Sequence, residues 1–234
     1  MPLSPGRSTR IFLLAVALGW SGAVAAQEVQ RHGLVFEQWV RDTFFGGYAP
    51  GSYTQKWDIP AAANTAHGGV PANPKAIKHG TPVDLGDALR QFDIDEPFML
   101  ILGFWRQEGD RKRIVNIVAP VITPEQWRRL WGPVTRADLE RLDAVIKDRS
   151  LDYREARRRA QEMKNAPPFN QAVIVLNPKI DSKTQRRLQC SLRFSDVFKH
   201  LAPGADSRPQ AQPALFGTPY PGLIDSKPRE FAPK

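Results

Sequence analysis

A chain of 234 residues that is 41% hydrophobic and 24% charged can bury a core of its own, which excludes a disordered or fibrous polypeptide. Its formal net charge of +9 suits an anionic partner, nucleic acid or a membrane surface, or else serves only to keep the chain soluble. The single cysteine, Cys190, excludes an internal disulfide and zinc sites built on several thiolates, and its place in an apolar strand predicts a buried, inert thiol.

Residues 1–26 read as a signal peptide. Arg7 and Arg10 precede the apolar run Ile11 to Leu18, which is too short to span a bilayer, and small residues up to Ala26 suit cleavage before Gln27. No cysteine follows that run, which argues against a lipid anchor, and no later run is long enough to cross a membrane. The chain is therefore expected to be exported, to the periplasm or the medium. Residues 27–202 would form the globular domain, and 203–234, with seven prolines and no periodicity, a disordered or surface-draped tail.

Within the domain, Val29 to Phe45 has helical spacing, with Phe36, Trp39, Val40 and Phe44 on a core face and Gly46-Gly47 as the stop. Glu37 lies at the edge of that face, either solvated or aimed at the end of a sheet. Tyr53 to Ile59 reads as a short strand stopped by Pro60. Asp58 stands in it between Trp57 and Ile59, where an acid is costly to bury unpaired, so a metal, a basic partner or a plain salt bridge is expected beside it. A loop containing His67 follows, then a strand from Lys75 to His79 bearing Lys78, then a helix from Pro82 to Phe92 with Asp84 and Asp87 in its first turns.

Pro97 to Trp105 is a continuous apolar run, as in a buried central strand, with Gln107 just past its end. A charged turn joins it to a second apolar run, Arg113 to Ile122. Thr123-Pro124-Glu125 and Thr135-Arg136-Ala137-Asp138 are helix starts, the second a capping box with Asp in place of Glu. The helix Tyr153 to Lys164 carries Arg154, Arg157, Arg158 and Arg159, a face that is either merely solvated or set against a phosphate backbone. Ala172 to Leu176 and Arg186 to Phe194 read as strands around a basic loop, and Ser195 to Leu201 as a closing helical turn.

The order helix, strand, strand, helix, strand, strand over Gln30 to Ile122 resembles the core of the PD-(D/E)xK (restriction-endonuclease-like) nuclease superfamily. The resemblance implies an α/β (α+β) fold: a central mixed sheet flanked by helices, with the later helices and strands as additions. It also implies a Mg²⁺-dependent hydrolase of DNA or RNA phosphodiesters. Asp58 takes the place of the first metal-binding acid and Lys78 that of the lysine that orients the attacking water. Ala76 stands where the second acid belongs, and Asp87, or else Asp84, on the next helix would replace it as a metal ligand. Glu37 matches a recurrent glutamate of the first helix, and Gln107 a polar residue that some members place near the site. A site short of one or two acids would bind nucleic acid without cutting it, which gives the alternative: a non-catalytic nucleic-acid-binding or interaction module on a degenerate nuclease fold. The sequence leaves oligomeric state open.

Overall fold

The structure, a computed structural model, describes residues 35–51 and 56–225. The predicted signal peptide, the start of the first helix and the end of the tail lie outside the described residues. The first helix, α1, covers residues 35–44. After the loop that follows, residues 57–59 add a single antiparallel bridge, Ile59 to Ala72, where a strand from Tyr53 was expected; residues 52–55 lie outside the described ones.

Strand β1, Ala72–Lys78, begins three residues earlier than expected. Strand β2, Val83–Asp87, and the short helix α2, Ala88–Phe92, replace the predicted helix from Pro82. Leu85, Leu89 and Phe92 carry helical spacing, but Val83 and Leu85 are buried while Asp84 is exposed, the alternation of a strand. A bulge falls between Asp84 and Gly86, the latter at φ +88°, and Asp87 then caps α2 by accepting the Arg90 N–H at 2.9 Å.

Strand β3, Phe98–Glu108, is buried without a break from Phe98 to Phe104, as the apolar run predicts for a strand covered on both faces. Strands β4, Arg111–Val118, and β5, Val121–Ile122, divide the second apolar run, parted by Ala119-Pro120. Both helix starts form as read, and the first closes a capping box as well as the second. Thr123 opens α3, Pro124–Trp131, with Gln126 as the reciprocal partner, and Thr135 opens α4, Arg136–Lys147, with Asp138. Helix α5 covers Tyr153–Lys164. Strands β6, Val175–Ile180, and β7, Arg186–Leu192, then form a hairpin, followed by helical turns from Phe194 to Leu201.

The result is a mixed α/β fold built on two main sheets. In the larger, the order is β1-β3-β4, with β1 parallel and β4 antiparallel to β3, and β5 paired to β3. The smaller has the order β2-β7-β6 and is antiparallel. One face of β3 (Phe98, Leu100, Leu102, Phe104) shares a core with Trp127, Trp131, Leu139, Leu142 and the inner face of β6–β7. The other (Met99, Ile101) packs with Phe36 and Val40 of α1. Thr135→Ala removes the cap of α4, which packs on β7, and is expected to cost about 1 kcal/mol, read as a lower midpoint in thermal melts.

The proline-rich segment is draped, not loose, as far as residue 225. Asn116, fully buried, donates to the carbonyls of Asp206 and Arg208, and the Gln210 N–H donates to Val115. Strands β8, Ala214–Leu215, and β9, Thr218–Pro219, form a small hairpin, and β10, Leu223–Asp225, pairs with the free edge of β4. Irregular spacing concealed anchors that are individually small. Leu215 and Ile224 enter the core under α1, and Tyr220 lies against Trp39 at 4.8 Å between ring centres. No helix among the described residues is long and apolar enough to cross a membrane.

Candidate functional site

The clearest cleft, of about 620 Å³, opens at the outer edge of β1, between α1 and the β2–α2 junction. Its position follows from local packing. Trp57 is buried and stacks on Phe98, with its indole N–H donating to Glu96 at 2.9 Å. Ile59 is buried against Ala72. Asp58, between two anchored apolar side chains, lines the cleft, and its N–H donates to the Asn73 side-chain oxygen at 2.9 Å. On β1, Asn73 and Lys75 lie on one side of the strand and both line the cleft. Helix α1 contributes Glu37 and Arg41, one turn apart; the far wall is Leu85, Gly86, Asp87 and Arg90.

The electrostatics single out two carboxyls. Burial raises the pKa of Glu37, Asp58 raises it further, and Lys75 and Arg41 oppose the shift. Burial also raises that of Asp58, again opposed by Lys75 and Arg41. Each acid is thus held away from water, with one lysine and one arginine as counter-charges. At the rim, Lys56 meets Glu96 at 2.6 Å and Asp95 at 3.6 Å.

Of the residues singled out in the sequence, Glu37, Asp58 and Asp87 come together in this cleft; Asp84, Lys78 and Gln107 do not line it. Asp87 is exposed and holds the α2 cap. Asp84 is exposed and accepts the Gly86 N–H at 2.9 Å, a turn-forming role. Lys78 is corrected on grounds of parity. It lies three residues beyond Lys75, an odd number, so it is exposed on the opposite side of β1, opposite Trp105. Ala76 shares that side, packed under α1, so neither Ala76 nor Lys78 lies on the side of β1 that carries Asn73 and Lys75. Gln107 donates to Gly109 at 2.7 Å and serves the β3–β4 turn.

The arginine face of α5 is largely committed within the protein. Arg158 reaches Glu155 at 2.8 Å and Glu162 at 2.6 Å, and Arg159 reaches Glu155 at 2.6 Å. Those two guanidinium groups hold the Glu155 carboxyl down at about 2. Arg157 donates to the Ile180 carbonyl and Lys164 to that of Leu176, so α5 covers the outer edge of β6. Arg154 bonds the Tyr153 hydroxyl. The acids at i−4, i−3 and i+4 were visible in the sequence; the β6 carbonyls were not.

Lys75, Asn73 and Arg41 are the cleft residues that sequence reasoning passed over. Their signal was the alternation Asn73, Lys75, Ile77 and the four-residue step from Glu37 to Arg41. Among the described residues no group of three or more His, Cys, Asp or Glu is placed to hold a metal. Glu37 and Asp58 are the two half-buried carboxyls of the cleft, and one or two carboxylates are what Mg²⁺ commonly takes, its other positions filled by water and phosphate oxygens. Cys190 is buried, as expected; burial first, then Asp84 and Asp87, push its thiol far up, which leaves it unreactive. His67 stacks on Phe216 at 3.9 Å, away from the cleft. Comparison of the chain with protein-family models, with curated proteins and with solved structures finds no match.

Proposed function

We propose that this protein is an exported, Mg²⁺-dependent phosphodiester hydrolase acting on DNA or RNA, on a restriction-endonuclease-like core, with Glu37, Asp58 and Lys75 at its centre. The observation that carries this reading is the convergence of two half-buried carboxyls with raised pKa and the Lys75 ammonium in a single open cleft. Glu37 and Asp58 would hold the ion, whose chemistry is to polarise a phosphate oxygen and make a bound water more acidic. Lys75 places an ammonium on the same side of β1 as Asn73, where it orients the attacking water and offsets charge on the phosphoryl oxygens. Asn73 fixes the Asp58 backbone, and Arg41 screens the phosphate from the acids.

The test is cleavage of labelled DNA and RNA with Mg²⁺. Activity should vanish with EDTA and in Asp58→Ala. A second reading is favoured by one observation: where the superfamily pattern asks for an acid two residues before the lysine, Lys75 is preceded by Asn73. On that reading the cleft binds nucleic acid without cutting it. Salt-sensitive binding with no cleavage in any divalent metal would select it.

The raised carboxyls also give a pH signature. A folded-state pKa above the unfolded one favours the protonated acid, so this stabilising contribution is complete below the ordinary carboxylate range and is lost as pH rises through the raised values. Glu37→Gln is therefore expected to raise the melting temperature near pH 7 and to change it little at about pH 3.5. An equal loss at both pH values would show that the substitution disturbs packing and not an ionisation.

A further inference from the structure

The outer face of the small sheet carries a feature that the cleft does not use. Lys179 of β6 and Arg187 of β7 are directly opposite each other in the antiparallel register and both exposed. Neither has an ion-pair or side-chain hydrogen-bond partner among the described residues. Like charges directly opposite across a ladder destabilise a sheet, so this pair costs the fold stability and nothing in the described chain compensates it.

The face is also continuous with the cleft. Asp87, on the cleft wall, pairs with Gln189, which pairs in turn with Asn177. Arg187 and Lys179 are the next residues on the same side, about 7 Å further along the strands at 3.2–3.4 Å per residue. The sheet therefore presents a polar strip of Gln189 and Asn177 that leads from the cleft to two unpaired cations. Its inner side, with Leu176, Leu188 and Cys190, is core. None of these strip residues is aromatic, so the strip offers no platform on which unpaired bases could stack.

We propose that this strip is a docking surface for the phosphate backbone of a nucleic-acid duplex, with Lys179 and Arg187 as phosphate contacts. The inference rests on the hydrolase reading for its direction, since the strip matters as the path of a substrate held in the cleft. It does not need that reading for its chemistry, which is charge complementarity to a regular polyanion. Phosphate contacts position a duplex without reading its sequence, so sequence-independent binding is expected. An anionic membrane is the competing occupant for a basic surface; a strip of Gln189, Asn177, Lys179 and Arg187, with no apolar side chain among them to insert, favours the duplex.

The experiment is a salt titration of binding in EDTA, where a metal-dependent enzyme does not cut, with a labelled duplex of about 20 base pairs. In Lys179→Gln/Arg187→Gln the slope of log affinity against log salt should shrink by about two, and affinity at 0.1 M salt should fall about tenfold or more. The same variant should melt no lower than the parent, because it removes a repulsion, so lost binding cannot be ascribed to misfolding. Superimposable titrations, or no duplex binding by the parent, overturn the proposal. Binding of the parent to phosphatidylserine vesicles through these two residues, with none to duplex, overturns it in favour of a membrane. Duplex binding that needs Lys179 and Arg187, without cleavage in any metal, would leave the docking surface standing and remove the hydrolase reading. Cleavage indifferent to the double variant would do the reverse.

Discussion

Lys75→Ala should reduce phosphodiester cleavage by about a hundredfold or more, while Lys78→Ala should leave it within about twofold. The contrast is geometric. Both lysines are on β1, but Lys75 lines the cleft and Lys78 is exposed on the other side of the strand. An ammonium acting on a developing charge must be in the first layer of contacts, and removing one such donor typically costs two to three orders of magnitude. Lys75→Arg keeps the charge but changes its shape and reach, so partial activity is expected there. The measurement is the initial rate on a labelled duplex under saturating Mg²⁺, with thermal melts to check folding. Equal losses at the two positions, or a loss at Lys78 alone, would remove the assignment of Lys75 and with it the present picture of the site.

Gly103→Ala is expected to destabilise the fold by about 1–3 kcal/mol, the usual cost of forcing extra volume into a packed core. In a domain of this size that lowers the melting temperature by roughly 3–10 °C. A β-carbon built at Gly103 would stand 2.5 Å from two ring carbons of Phe36, far inside van der Waals contact. Gly103 pairs with Ala76 on β1, so two very small residues lie side by side under α1 and let Phe36, fully buried, settle onto β3. Phe36 is followed by Glu37, so an outward shift of the ring moves a cleft carboxyl with it. The variant should therefore lose activity beyond what its stability predicts. Adding Phe36→Leu should restore part of both, because a smaller side chain vacates the contested space. A Gly103→Ala protein that melts and cleaves like the parent would show that α1 is not seated through this contact.

The sequence was most legible where one signal acts alone. The two helix starts, the α5 boundaries and the buried run of β3 follow from spacing and end chemistry, and the structure has them where that reasoning puts them. Legibility failed where two periods overlap. Leu85, Leu89 and Phe92 satisfy a helix while Val83 and Leu85 satisfy a strand, and only pairing with β7 decides between them. The site shows the same limit. Asp58 and Glu37 were readable as acids in apolar company, whereas the choice between Lys75 and Lys78 depends on strand parity, which a motif match measured from Ala76 overrides. The α5 arginines stayed open in the sequence because four of them in six residues suit solvent or phosphate alike, while the carbonyls that Arg157 and Lys164 satisfy come from a strand more than ten residues away.

The strap that ends in β10 sets an order of events during synthesis. Strand β4 keeps an open edge until Leu223–Asp225 has been made, more than a hundred residues after β4 itself. The aromatic side chains of α1 wait longer still for Tyr220, which lies against both Phe36 and Trp39. The helix carrying Glu37 and Arg41 is thus made well before the strap and is one of the last segments to find all its neighbours. A nascent or truncated chain can form the helical half around α3–α5 from local contacts while the cleft remains incomplete. The cleft would then be completed only with the final residues of the strap, as a built-in delay between making the chain and finishing its cleft.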